Sequence, residues 1–179
     1  MNTKKTLVVV DVQRDFFDPA GSLYVKGGEL LPAKIAAIAP QYDNIVFTLD
    51  WHPGNHCSFK ARGGQWPSHC VQFTQGAGLA DEFSEILAQD NVHLVVKGCD
   101  PAKEQYGAFE AVDDQLEKIF TGSTHIDICG IAGDYCVKET AADLLEIVPA
   151  TKITMLQNLI CSIDDGSALK AFIRESGCN

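Results

Sequence analysis

No stretch of this sequence is rich in lysine and arginine, and basic residues are outnumbered 14 to 24 by acidic ones, a formal net charge of -10. So negative a surface repels phosphate backbones and anionic bilayers, which argues against nucleic-acid and membrane partners. Long apolar runs are also missing. Met1 to Lys5 leads into only Leu7 to Val10 before Asp11 interrupts, too short for a signal-peptide core or a membrane span. The expected location is therefore the cytoplasm. Repeats, low-complexity tracts and linkers are absent as well, so residues 1–179 are read as a single domain, with self-association left open. Nor is there a paired cysteine framework. The seven cysteines (57, 70, 99, 129, 136, 161 and 178) are odd in number, which favours free thiols, most of them small core residues.

What is present is a chain of 46% hydrophobic residues, enough for a full core. Short β-branched runs recur at Thr6 to Val10, Asn44 to Leu49, Val92 to Val96, His125 to Ile131 and Lys152 to Leu156. Each is nearly continuous in hydrophobicity, the pattern of strands buried on both faces. Helical spacing lies between them: Leu31, Ile35 and Ile38; Val137, Ala141, Leu144 and Val148; Leu169, Phe172 and Ile173. Asp165 and Pro149 are read as helix punctuation. Alternating strand and helix predicts a three-layer α/β/α architecture on a mainly parallel, Rossmann-like sheet.

In such sheets the working residues collect at the carboxyl ends of the strands. The polar residues closing these strands are Asp11, Asp50 and Lys97, and after Ile131 the chain continues Ala132-Gly133-Asp134-Tyr135-Cys136. Two carboxylates, an amine and a thiol therefore share one rim. Cys136 is expected in the first turn of a helix beginning near Asp134, where free N–H groups and the helix dipole favour a thiolate and offer an oxyanion hole. A cysteine there also suits a small buried hydrophobe. Asp11, behind four apolar residues, is expected to be desolvated and suited to proton transfer, or else to cap a turn. Lys97 either pairs with Asp11 or reaches solvent. A thiol, a base and a group that orients the base are the parts nucleophilic catalysis needs.

The longest irregular stretch, Trp51 to about Gly78, holds three of the five histidines. Asp50 and His52 project from one short segment, and a ligand from the returning loop would complete an open divalent-metal site. His69 supplies it, with His56 as a fourth ligand or as a group holding a metal-bound water. A closed zinc site of His56, Cys57, His69 and Cys70 is the competing arrangement, but two adjacent His-Cys pairs suit four tetrahedral ligands poorly.

Five blocks extend these readings: Val10-Asp11-Val12-Gln13-Arg14-Asp15-Phe16, Asp50-Trp51-His52-Pro53 to Phe59, Trp66-Pro67-Ser68-His69-Cys70-Val71, Val96-Lys97-Gly98 with Tyr106, and Gly130 to Val137. With them the chain resembles, almost end to end, the nicotinamidases (pyrazinamidases) of the isochorismatase-like cysteine hydrolases. The resemblance implies Asp11, Lys97 and Cys136 as catalytic triad and Asp50, His52 and His69, with or without His56, as ligands of zinc, iron or manganese. It implies pocket walls at Phe16, Trp66 and Tyr106, and an oxyanion hole at the N–H groups of Ala132 and Cys136 behind a cis Ile131–Ala132 bond. The activity implied is hydrolysis of nicotinamide to nicotinate and ammonia in NAD salvage, pyrazinamide being a further substrate. Another member of the superfamily, acting on a different amide, a ureido acid or an enol ether, and a non-catalytic domain of the same fold are the alternatives. Two departures from the family pattern stand out: Gly133, where many members carry Thr or Ser, and a short loop before Trp66.

Overall fold

The computed structural model describes residues 3–179. Five strands, β1 (Lys5–Val10), β2 (Asn44–Asp50), β3 (Val92–Lys97), β4 (His125–Ile131) and β5 (Ile153–Cys161), form one sheet. Its order is β3-β2-β1-β4-β5, with every pairing parallel. Helices α1 (Arg14–Phe17), α2 (Leu31–Ile38), α3 (Ser84–Leu87), α4 (Asp114–Gly122), α5 (Lys138–Leu145) and α6 (Ser167–Ser176) connect the strands.

Side chains alternate across a strand, so β1 sends Leu7 and Val9 into one core and Val8 and Val10 into the other. The first core is closed by Phe16 of α1, Leu31 and Ile35 of α2 and Ile86 of α3. The second is closed by Leu116 and Phe120 of α4, Ala141 and Leu144 of α5 and Leu169 of α6. This is the three-layer arrangement that the alternation of strand and helix predicts.

Two details depart from the sequence reading. β3 is an edge strand, and its Leu94 and Val96 are 59% and 53% exposed rather than buried on both sides. α4 lies in a stretch without an obvious apolar run, and it starts because Asp113 accepts hydrogen bonds from the N–H groups of Gln115 (3.0 Å) and Leu116 (2.8 Å). Among the described residues no helix is long and apolar enough to cross a membrane.

From β1 the chain moves outward to β2 and β3, then returns to place β4 on the other side of β1. The crevice of such a sheet opens where the winding reverses, between the carboxyl ends of β1 and β4. Asp11 and Ala132 are the first residues past those ends. Here the strands approach so closely that a Cβ on Gly130 (φ +125°) would overlap the Val10 carbonyl. Gly130→Ala should therefore destabilise the fold by roughly 2–4 kcal/mol. A urea midpoint lowered at constant m is the expected observation, and an unchanged midpoint would refute the close approach.

Candidate active site

Asp11 follows β1 directly with its backbone in the left-handed region (φ +49°), a costly conformation for a residue with a side chain. Its N–H donates to the Thr48 carbonyl (3.1 Å), and the Thr48 hydroxyl donates to its Oδ1 (2.5 Å). Thr48 and Asp50 lie two apart on β2 and so face the same side of the sheet. Lys97 ends β3 in register with Asp50. Its ammonium lies 2.9 Å from Asp11 Oδ2 and 3.4 Å from Cys136 Sγ and donates a short hydrogen bond to Asp50 Oδ1. All five side chains are buried.

A single ammonium thus balances two carboxylates in a dry site. Burial works against the charge on Lys97, but Asp11 and Asp50 outweigh it and hold the pKa well above its ordinary value. Burial raises the Asp11 carboxyl, and Lys97 offsets only part of that. Asp50 ends below its ordinary value, because Lys97, assisted by His52, overcomes burial. The Cys136 thiol is pushed well up, first by burial and then by Asp11 and Asp50, against the pull of Lys97.

The raised thiol pKa runs against the thiolate that the helix end was expected to favour. Cys136 lies in a π-helical turn, Gly133–Val137, that precedes α5, and the two carboxylates oppose any gain from the helix end. A thiol raised in this way calls for a neighbouring base. Asp11 Oδ2 accepts no directed hydrogen bond, and a carboxylate oxygen of Asp11 lies within 4.8 Å of Sγ. The Ile131–Ala132 bond is cis, as the resemblance implies.

The histidine loop is organised by short backbone pairings. The His52 N–H donates to the Cys70 carbonyl (3.0 Å) and the Gln72 N–H to the His52 carbonyl (2.9 Å), which brings the outgoing and returning limbs together. Buried Phe59 packs against the rings of His52, His56 and His69 at centroid distances of 5.7, 5.8 and 5.5 Å. His52 Nδ1 faces the Gly98 carbonyl (2.9 Å) and His69 Nδ1 the Pro67 carbonyl (2.8 Å), which places a proton on each Nδ1 and turns each Nε2 toward Asp50. Those Nε2 atoms stand 3.3 and 3.8 Å from Asp50 Oδ2. Ligand atoms on one tetrahedral ion with bonds of about 2.1 Å lie roughly 3.4 Å apart, so the trio fits a divalent metal.

His56, expected either as a fourth ligand or as a group holding a metal-bound water, stands outside this trio. Its Nδ1 is engaged by Ser58 (2.7 Å to Oγ) and its Nε2 by the Lys103 carbonyl (3.0 Å), while its ring lies against that of His52 (4.1 Å). Burial and the neighbouring His52 lower its pKa, consistent with a neutral ring. The competing Cys-His zinc set does not converge among the described residues.

Both clusters open on one narrow cavity lined by Phe16, Trp66, Tyr106, His69 and Cys136. Trp66 Nε1 donates to the Tyr106 hydroxyl (3.0 Å). The sequence reading missed other lining residues: Tyr135, which packs on both aromatics, and Leu23, Val25 and Ile163 from distant loops. It also missed Gln13, fully buried, whose amide holds the backbone of Asp50 on both sides, accepting from its N–H (2.8 Å) and donating to its carbonyl (2.8 Å).

A parallel α/β protein with a buried carboxylate–lysine–thiol cluster beside a metal-competent trio is the class that fold and site define. A family model described as the Isochorismatase domain matches residues 5–172. The chain belongs to the isochorismatase family. It is 33% identical to a nicotinamidase of Saccharomyces cerevisiae, over 90% of this chain and 89% of that protein. Among solved structures, an L. infantum protein in complex with nicotinate superposes with a TM-score of 0.84 at 35% identity, covering 98% of this chain and 91% of that one. The pyrazinamidase of Pyrococcus horikoshii in complex with zinc gives a TM-score of 0.81 at 35% identity, covering 97% and 94%.

Proposed function

We propose that this chain is an amidohydrolase that converts nicotinamide to nicotinate and ammonia in NAD salvage, with Cys136 as nucleophile. The observation that carries the reading is the meeting of two clusters, Asp11–Lys97–Cys136 and Asp50–His52–His69, in one aromatic-walled cavity.

Asp11 takes the thiol proton as Sγ attacks the carboxamide carbon, and the N–H groups of Ala132 and Cys136 receive the developing oxyanion. Collapse of the tetrahedral adduct breaks the C–N bond, and Asp11 returns its proton to the departing ammonia. A water deprotonated by Asp11 then attacks the thioester and restores the thiol. Lys97 keeps the Asp11 carboxylate oriented and compensates its charge. Phe16, Trp66, Tyr106 and Tyr135 enclose the ring. Asp50, His52 and His69 would hold a divalent ion, zinc in our reading, which would supply a Lewis-acid anchor for the pyridine nitrogen. His56 braces His52 from behind. Pyrazinamide keeps a ring nitrogen at the same position and should also be hydrolysed.

Ammonia release from nicotinamide tests the activity; consumption of a ureido acid or an enol ether with nicotinamide inert would overturn it. Chelation tests the anchor. Because the ion contributes binding more than chemistry, stripping it should raise KM roughly tenfold, about 1.4 kcal/mol, with kcat largely kept, and added zinc should reverse the change. Undiminished kcat/KM in protein shown by elemental analysis to be metal-free would remove this role.

A further inference from the structure

The turn that carries Cys136 also holds the far side of the cavity. Asp134, two residues before the nucleophile, accepts backbone hydrogen bonds from two consecutive residues beyond β5: Ile163 N–H to Oδ1 (2.9 Å) and Asp164 N–H to Oδ2 (3.0 Å). Ile163 lines the cavity beside Cys136 and yet is 47% exposed, so it forms the outer edge of the site. The neighbouring Ser162 closes the same contact, because its hydroxyl fills the space a side chain at Gly133 would take, where a Cβ would also lie 2.8 Å from Ile160 Cγ2. Beyond the roof, Asp164 Oδ2 accepts the Ala168 N–H (3.1 Å) and so fixes the loop onto the start of α6.

We infer that Asp134 is a positioning residue that pins the roof residue Ile163 to the nucleophile turn and thereby sets how wide a substrate reaches Sγ. The missing side chain at Gly133 is what admits Ser162 this close, so roof and nucleophile move as one body. The inference rests on the reading of Cys136 as the attacking thiol, although the roof itself can be probed without any substrate.

Asp134→Asn keeps the shape but turns an amide N–H2 toward one of the two backbone donors, so one hydrogen bond of the pair is lost. In the metal-loaded protein, Cys136 modification is followed by peptide mass mapping with bulky N-ethylmaleimide and with small iodoacetamide. The maleimide-to-iodoacetamide rate ratio should rise by about fivefold, the scale of one backbone hydrogen bond. The KM for nicotinamide should rise comparably, with kcat per titratable thiol held within about twofold. Ile163→Ala should reproduce both changes, and the double variant should add nothing further.

If Asp134 merely stabilises the fold, the variant's urea midpoint falls while the KM for nicotinamide stays put, and the inference is overturned. Additive effects of the two substitutions overturn it equally. A wild-type protein inert toward nicotinamide whose alkylation ratio still shifts in Asp134→Asn would sink the proposed activity and leave this inference standing.

Discussion

Replacing Cys136 with alanine should lower ammonia release from nicotinamide by at least about 10⁴-fold, because no other group in the site can form the acyl intermediate. The fold should tolerate the change. The side chain is buried but small, and the counter-charge on which the cluster depends is the Lys97 ammonium. Retained nicotinate binding by calorimetry, together with loss of the acyl-enzyme mass adduct, would separate lost chemistry from lost structure. Cys136→Ser should be nearly as inactive, because a carboxylate is too weak a base to activate an alcohol as it does a thiol. Full turnover by the alanine variant would end the nucleophile assignment.

Lys97→Met should act on stability and catalysis together. Its ammonium is the shared counter-charge of Asp11 and Asp50, and all three groups are buried. Methionine fills much the same space but leaves two carboxylates facing each other without the ammonium between them. Removing one partner of a buried ion pair costs about 3–5 kcal/mol, which in a chain of this length lowers Tm by roughly 10 °C. The carboxylates relieve their repulsion by taking up a proton, so Asp11 loses its capacity as a base. Turnover should fall by about 10²- to 10⁴-fold, the usual contribution of general acid–base catalysis. Calorimetric unfolding and steady-state rates on one preparation check both halves. A stable, active Lys97→Met protein would show that the ion pair is peripheral.

Asp50 makes the two clusters interdependent. Its Oδ1 receives the Lys97 ammonium while its Oδ2 faces His52 and His69. The carboxylate that marks the end of β2 in the sequence is thus shared between the Lys97 cluster and the histidine trio, and no local pattern could have assigned it to both.

The sequence by itself determined the alternation of strand and helix, because apolar periodicity reports burial locally. It also placed Asp11, Asp50, Lys97 and Cys136 on one rim, because polar residues that close apolar strands, or follow them directly, collect at the carboxyl edge of a parallel sheet. His52 and His69 were legible for a similar reason, as they stand on a loop that leaves the same rim. Only the tertiary structure decided the rest. The edge position of β3, and with it the exposure of Leu94 and Val96, follows from strand order rather than strand composition. The diversion of His56 to Ser58 and Lys103, the raised thiol pKa of Cys136 and the Ile163 roof depend on groups that lie far apart in the chain and meet only once it has folded. Such contacts carry no periodicity. They are set by the packing of loops against a sheet whose order the sequence does not state.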